Sequence, residues 1–244
     1  MKKPILLVVI LFVFILNACK KETEQFNTAS ISDYAPFVVG KYITYQLDSL
    51  VFVNFGTQQA IISYQVKHEV GAMITDNLGR PAFSITRYIR KRPIDPWLPD
   101  NTFMAINTGK ALEFVENNMR FTKLQLPIRD GYSWKGNSYI DTYSLNSDVR
   151  YLDDWDYTYD SINTPHTLGA IKLDSTLKVN QQDEELGSPG FYNEKNFSAE
   201  IYAKGIGLVY RKFLHTEFQP ATPGTVGSYT DDSYGVTLTI IDHN

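Results

Sequence analysis

Strict alternation of apolar and polar residues is the feature that most limits what this chain can fold into. Ile43, Tyr45 and Leu47 alternate with Thr44, Gln46 and Asp48, and Ile62, Tyr64, Val66 and Val70 share a phase against Ser63, Gln65, Lys67 and Glu69. The same period runs through Phe83, Ile85 and Ile89, through Ile171, Leu173, Leu177 and Val179, and through Val236, Leu238 and Ile240. Successive side chains of a strand point to opposite faces, so this pattern predicts strands with one buried and one wet face. Such strands belong to antiparallel sheets, because parallel strands are covered on both sides and read as continuous apolar runs. The expected fold is all-β: a single antiparallel domain of about eight to ten strands, as a strongly curved sheet or barrel-like sandwich. Turn signals stand at Asn54-Phe55-Gly56, Asp76–Gly79, Asp130-Gly131 and Gly205-Ile206-Gly207, and Leu112–Leu126 reads as a hairpin around Glu116-Asn117-Asn118. Long loops are expected at Arg92–Asn101, Asp141–Gly169, Gln181–Asn196 and Gln219–Gly235, and a short helix near Asn193–Ala199.

The first residues follow a different rule. Lys2 and Lys3 precede an unbroken apolar run, Ile5–Leu16, and the single cysteine, Cys19, follows Asn17 and Ala18. That is the layout of a secretory signal peptide. The 12 residues of the run would span roughly 18 Å as a helix, short of the ~30 Å hydrocarbon core. Leu16-Asn17-Ala18-Cys19 resembles the bacterial lipobox, in which the cysteine is freed by cleavage and acylated. A lone thiol in an exported chain has no internal disulfide partner, and acylation gives it a use. The expected division is a signal peptide over 1–18, the acylated cysteine and a polar tether over 19–33, and the β domain over 34–244. Removal of Lys2 and Lys3 takes the net charge from −4 to −6, which disfavours nucleic-acid binding. Lys20-Lys21-Glu22-Thr23-Glu24 loosely resembles the signal that carries Bacteroidota lipoproteins to the cell surface; a solvated linker accounts for it equally well.

No motif with chemistry survives inspection. Asp154, Asp156 and Asp160 in YLDDWDYTYD offer oxygen ligands for calcium, but the remaining EF-hand places hold Thr158, Tyr159 and Pro165. An inward-packing segment with Trp155, Tyr157 and Tyr159 at alternate places explains the stretch more simply. His68 lies in the apolar phase of its strand and reads as a core histidine; His166, His215 and His243 have no partner at ligand spacing. Gly205-Ile206-Gly207 lacks the third glycine of a dinucleotide loop, and Gly131-Tyr132-Ser133-Trp134 is not a nucleophile elbow. No metal or other cofactor is therefore expected. Trp97, in the proline-stiffened RPIDPWLPD, together with Trp155, Tyr157 and Tyr159, forms the set of candidates for ligand or partner contact. For Trp97 the simpler alternative is a loop held onto the barrel end by its own ring.

The Leu16–Cys19 lipobox, the opening strand Gly40-Lys41-Tyr42-Ile43-Thr44-Tyr45 and the late segment Ala203–Tyr210 together resemble a group of Bacteroidota envelope lipoproteins, each a lipobox signal peptide followed by a β-rich domain. Asp48-Ser49-Leu50, Asp160-Ser161-Ile162 and Asp174-Ser175-Thr176 also resemble the O-glycosylation acceptors of that phylum. The resemblance implies a location, the outer membrane, on its periplasmic face or the cell surface, and no chemistry. The expected function is a lipid-anchored, non-enzymatic binding or assembly component, with a lipid, glycan or envelope protein as ligand. The alternative is a glycan-directed envelope hydrolase using loop carboxylates.

Overall fold

The computed structural model describes residues 29–244. The signal segment, Cys19 and residues 20–28 lie outside that range. Thirteen strands form a single antiparallel sheet: β1 (Tyr42–Val53), β2 (Gln58–Thr75), β3 (Pro81–Arg90), β4 (Leu98–Asn107), β5 (Ala111–Glu116), β6 (Met119–Gln125), β7 (Ser133–Lys135), β8 (Asp156–Leu168), β9 (Ile171–Gly187), β10 (Asn193–Ala203), β11 (Gly207–Gln219), β12 (Ser228–Tyr229) and β13 (Tyr234–His243). Strand order around the sheet is β6-β5-β4-β3-β2-β1-β13-β11-β10-β9-β8-β7, with β12 appended to β11. Nearly every strand pairs with its neighbour in the chain, so the sheet is an up-and-down meander that curls until β6 and β7 meet.

The seam between β6 and β7 is only partly laddered. Thr122 N donates to Gly136 O (2.8 Å), and the Trp134 indole Nε1 donates to Thr122 O (2.7 Å). The Tyr159 hydroxyl donates to Gln125 O (2.9 Å) and accepts from Gln125 N (2.8 Å). Aromatic side chains thus replace missing backbone bonds and keep the edge carbonyls satisfied. Gly136 is required here, since a Cβ would fall 2.4 Å from the Tyr157 ring. The Trp134, Tyr157 and Tyr159 rings pack edge-to-face or tilted at 4.6–5.9 Å, each such pair adding ~0.5–1.5 kcal/mol beyond area burial.

Alternation thus produces the antiparallel, barrel-shaped sheet that the sequence predicts, with more strands than expected. The excess comes from the supposed long loops. Asp156–Leu168 and Gln181–Gly187 are strand, and the segment Asn193–Ala199 is part of β10, not a helix. β8 was hidden because Ser161 and Asn163 adopt left-handed backbone (φ 58° and 57°). These residues break its register with β9 and spoil the period-2 pattern. The β5–β6 hairpin turns where the sequence places it, on Asn117 and Asn118 (φ 51° and 61°), the conformation a two-residue hairpin needs.

One end of the barrel is corked. The helix α1 (Ile31–Tyr34) starts in a capping box between Ser30 and Asp33 and buries Ile31 and Tyr34 completely. The polar tether therefore stops short of residue 33, because Ile31 belongs to the core. Tyr34 Oη donates to Asn163 (2.9 Å), Gly205 N donates to Asp33 O (2.7 Å), and Asn107 Nδ2 donates to Ser32 Oγ (3.0 Å). These partners lie on β8, the β10–β11 turn and β4, so the cork is held across the whole mouth. Turns 54–57, 91–97, 117–118, 136–155, 188–192 and 220–233 gather at the opposite end.

Candidate ligand-binding interior

Inside a small barrel, every second residue of each strand faces the axis. Most of these are apolar here, but at mid-height several strands place an ionisable group inward: His68 on β2, Arg87 on β3, Glu116 on β5, Lys123 on β6, Glu200 on β10 and Arg211 on β11. Lys123 Nζ pairs with Glu200 Oε1 at 2.7 Å, and Tyr202 Oη donates to Glu200 Oε2 at 2.7 Å. Arg211 Nη1 straddles both oxygens of Glu116 at 2.9 and 3.0 Å, while its Nε stands 3.7 Å from Glu200. Burial alone would raise the Glu116 carboxyl; Arg211 and Lys123 beside it outweigh that and hold it below its ordinary value. His68 lies between the rings of Tyr45 and Phe103, with centroids 5.1 and 5.3 Å away. Burial, with Arg87 nearby, pushes its imidazole down to about 3, so it is neutral at physiological pH.

This girdle separates two chambers. The first, about 100 Å³, lies under the cork and is lined mainly by apolar groups, among them Ala35, Phe37, Ile43, Ile85 and Leu208. The second, about 140 Å³, lies toward the opposite end between Phe103, Trp155, Tyr157, Phe213 and Tyr234. His68, Glu116, Lys123 and Arg211 line both. Three buried nitrogens in this region have no hydrogen-bond partner: His68 Nε2, Gln181 Nε2 and Arg211 Nε. Gln181 is 2% exposed and takes a hydrogen bond from Ser198 Oγ on its amide oxygen (2.6 Å), which leaves the amide nitrogen unpaired. An unpaired buried donor costs about 1–3 kcal/mol, and three in one neighbourhood call for a reason.

The sequence candidates divide between wall and interior. Trp155 and Tyr157 line the second chamber; Tyr159 is sealed in the seam. Tyr157 Oη donates to Asn137 (2.9 Å), whose own amide donates to Leu152 O (2.8 Å), which pins the long 136–155 connection. Trp97 is half-buried on the outer wall, with the Arg90 guanidinium 4.1 Å from its ring. It is apart from both chambers. Asp154 and Asp156 share Lys135 (2.5 and 3.0 Å), and Asp160 faces Lys178 (3.4 Å). Among the described residues no three His, Cys, Asp or Glu side chains gather as metal ligands. His215 is buried, stacked on Tyr151 at 3.8 Å and bonded to Asn196 (2.7 Å).

Sequence reasoning singled out His68 and missed Glu116, Lys123, Glu200 and Arg211. Their signal was available: each sits in the inward phase of its strand, as Glu116 does after Leu112 and Phe114, and Lys123 after Phe121. A charged residue in an apolar phase is a sign of an internal partner, because an isolated buried charge is prohibitively costly. No protein-family model matches this chain, and no curated protein matches it, so its residues' roles rest on geometry alone.

Proposed function

We propose that this chain is a lipid-anchored protein of the bacterial outer membrane whose barrel is a non-enzymatic binding component. The observation that carries the binding role is the second chamber: a built cavity, walled by aromatic rings, beside polar nitrogens without partners. Such convergence of apolar walls with a few oriented polar groups is the usual character of a small-molecule site. The anchoring role rests on the Leu16–Cys19 motif. It is supported by the outer wall, where outward positions such as Gln46, Asp48, Gln65 and Lys67 are unlike the apolar band of a membrane-spanning barrel.

Chamber size narrows the ligand. At about 100 and 140 Å³, neither chamber reaches the ~300 Å³ of a typical drug-sized pocket, so a long acyl chain or oligosaccharide does not fit inside. The hydrolase alternative draws no support from the loop carboxylates. Glycoside cleavage needs one acid kept protonated near neutral pH, whereas Asp160 is held below its ordinary value by Ser161 and Lys178.

Native mass spectrometry of the full chain, purified in detergent without added ligand, tests the binding role: a small adduct that survives mild activation supports it, and a bare chain argues for a purely structural barrel. Membrane fractionation tests the anchor. Cys19→Ser should move the chain out of the membrane pellet, and retention there would argue for an uncleaved N-terminal helix.

A further inference from the structure

The chemistry of the second chamber indicates what class of ligand it takes, and this inference rests on the binding role proposed above. All three unpartnered groups that line or adjoin it are nitrogens, and among the described residues no buried side-chain oxygen lacks a partner. The unpaired Gln181 amide nitrogen and Arg211 Nε are donors. His68 is neutral, so one of its ring nitrogens carries hydrogen and the other accepts. The Gln181 and Arg211 donors therefore lack acceptors, which a ligand must bring as oxygens. The chamber lining carries three cationic groups, Arg87, Lys123 and Arg211, each with an acid beside it: Asp100, Glu200 and Glu116 respectively. Glu200, the partner of Lys123, lines the other chamber. The charges at the girdle are thus balanced, and the open Arg211 Nε is a charged donor, which a carboxylate satisfies more strongly than a neutral oxygen does. The remaining walls are mainly apolar, aromatic rings beside Met119, Leu152 and Val236, and an apolar cavity of about 150 Å³ holds one benzene ring, close to the 140 Å³ present here.

We infer that the second chamber binds a small carboxylic acid with a ring-sized apolar body, its carboxylate turned to the Gln181 and Arg211 donors and its body among Phe103, Trp155 and Phe213. Binding involves no covalent step. The carboxylate completes the hydrogen bonding that the empty girdle leaves open, and the rings remove the body from water. At the end opposite the cork, the hydroxyls of Tyr151 and Tyr234 lie 3.3 Å apart.

Benzoate and its neutral isostere benzamide are the probes, titrated calorimetrically into the full chain in detergent. Benzoate should bind at least about tenfold more tightly, the worth of a charge-assisted hydrogen bond over a neutral one. Gln181→Glu keeps an acceptor for Ser198 and adds a negative charge; it should weaken benzoate about tenfold and leave benzamide within about twofold. Equal binding of the two probes overturns the carboxylate and leaves the binding role standing. Binding of neither probe, with an unrelated adduct in the native spectrum, also overturns the carboxylate alone. Binding of neither, with a bare chain in that spectrum, overturns both. The comparison of the two probes on the unaltered chain decides the matter even if the variant fails to fold.

Discussion

The barrel carries two charge networks of matching composition, two acids and two bases each, built in opposite ways. On the outer wall, Arg80 forks onto Glu113 (2.6 and 3.0 Å) and onto Asp76 (2.8 and 2.9 Å). Asp76 also accepts from Leu78 N and Arg80 N (both 2.9 Å), and Arg120 joins Glu113 and Asn77. Every oxygen of Asp76 is used, and Arg80 remains 30% exposed. The inner network, Glu116, Lys123, Glu200 and Arg211, lies on the axis with unpaired nitrogens beside it. The outer network clamps the β2–β3 turn to β5 and β6 and has nothing left to offer. The inner one is charge-balanced and incompletely bonded, which is the condition for holding a ligand. Saturation of hydrogen bonds, more than the number of charges, separates a structural network from a binding one.

The sharpest way to break this distinction is to remove one inner partner. Lys123→Met should cost ~3–5 kcal/mol in denaturant unfolding, because Glu200, 1% exposed, is left buried with only the more distant Arg211 as a cation. The double variant Lys123→Met, Glu200→Leu should recover most of that loss, since a buried pair exchanged for apolar groups is often neutral. A double variant no better than the single would mean that Glu200 serves Tyr202 and Arg211 as much as Lys123.

The next effect is in pH. His68 titrates near 3 in the fold and near 6.5 unfolded. Below about 6.5 the unfolded chain takes up a proton that the folded chain refuses, so stability falls with falling pH down to about 3, by up to ~1.4 kcal/mol per unit. His68→Phe should reduce this slope between pH 6.5 and 5, with His215, whose imidazole burial also holds below its ordinary value, supplying the remainder, and an unchanged slope would place water or a counter-charge beside His68.

Asp76 works with the opposite group and a lower window. Arg80 and the backbone amides overcome the cost of burial and hold it at about 2, against ~3.9 unfolded. Its contribution is present above about pH 4 and is lost as pH falls through 2. Asp76→Asn should lower the unfolding midpoint at neutral pH by less than Lys123→Met does, and the gap to the unaltered chain should close by pH 2. A gap that persists at pH 2 would mean that the amide fails as a turn acceptor and not that a charge was lost.

The smallest effect is expected at Trp97. Its stack with Arg90 is half-exposed, and a cation–π contact at such a site contributes ~0.5–1 kcal/mol. Trp97→Ala should lower stability by about that much in chemical unfolding and leave benzoate binding unchanged. Loss of binding would join the outer wall to the chamber.

Much of the wall was legible in the residues. Alternation from Ile43 to Leu47 and from Ile171 to Val179 specified antiparallel strands because the pleat has a period of two. Asn117-Asn118 specified a tight hairpin because both accept left-handed backbone. The Asp76–Arg80 clamp is local, its members four apart. By contrast, Glu116 meets Arg211 across 95 positions and Lys123 meets Glu200 across 77. Which inward charges face each other depends on how far the sheet curls and staggers before β6 reaches β7, a property of the closed barrel and of no single strand. The sequence by itself determined the regularly alternating strands, their wet and dry faces and the lipobox motif; only the tertiary structure decided the irregular strands such as β8, the closure, the cork and the girdle, because those arise from contacts whose partners the local pattern cannot specify.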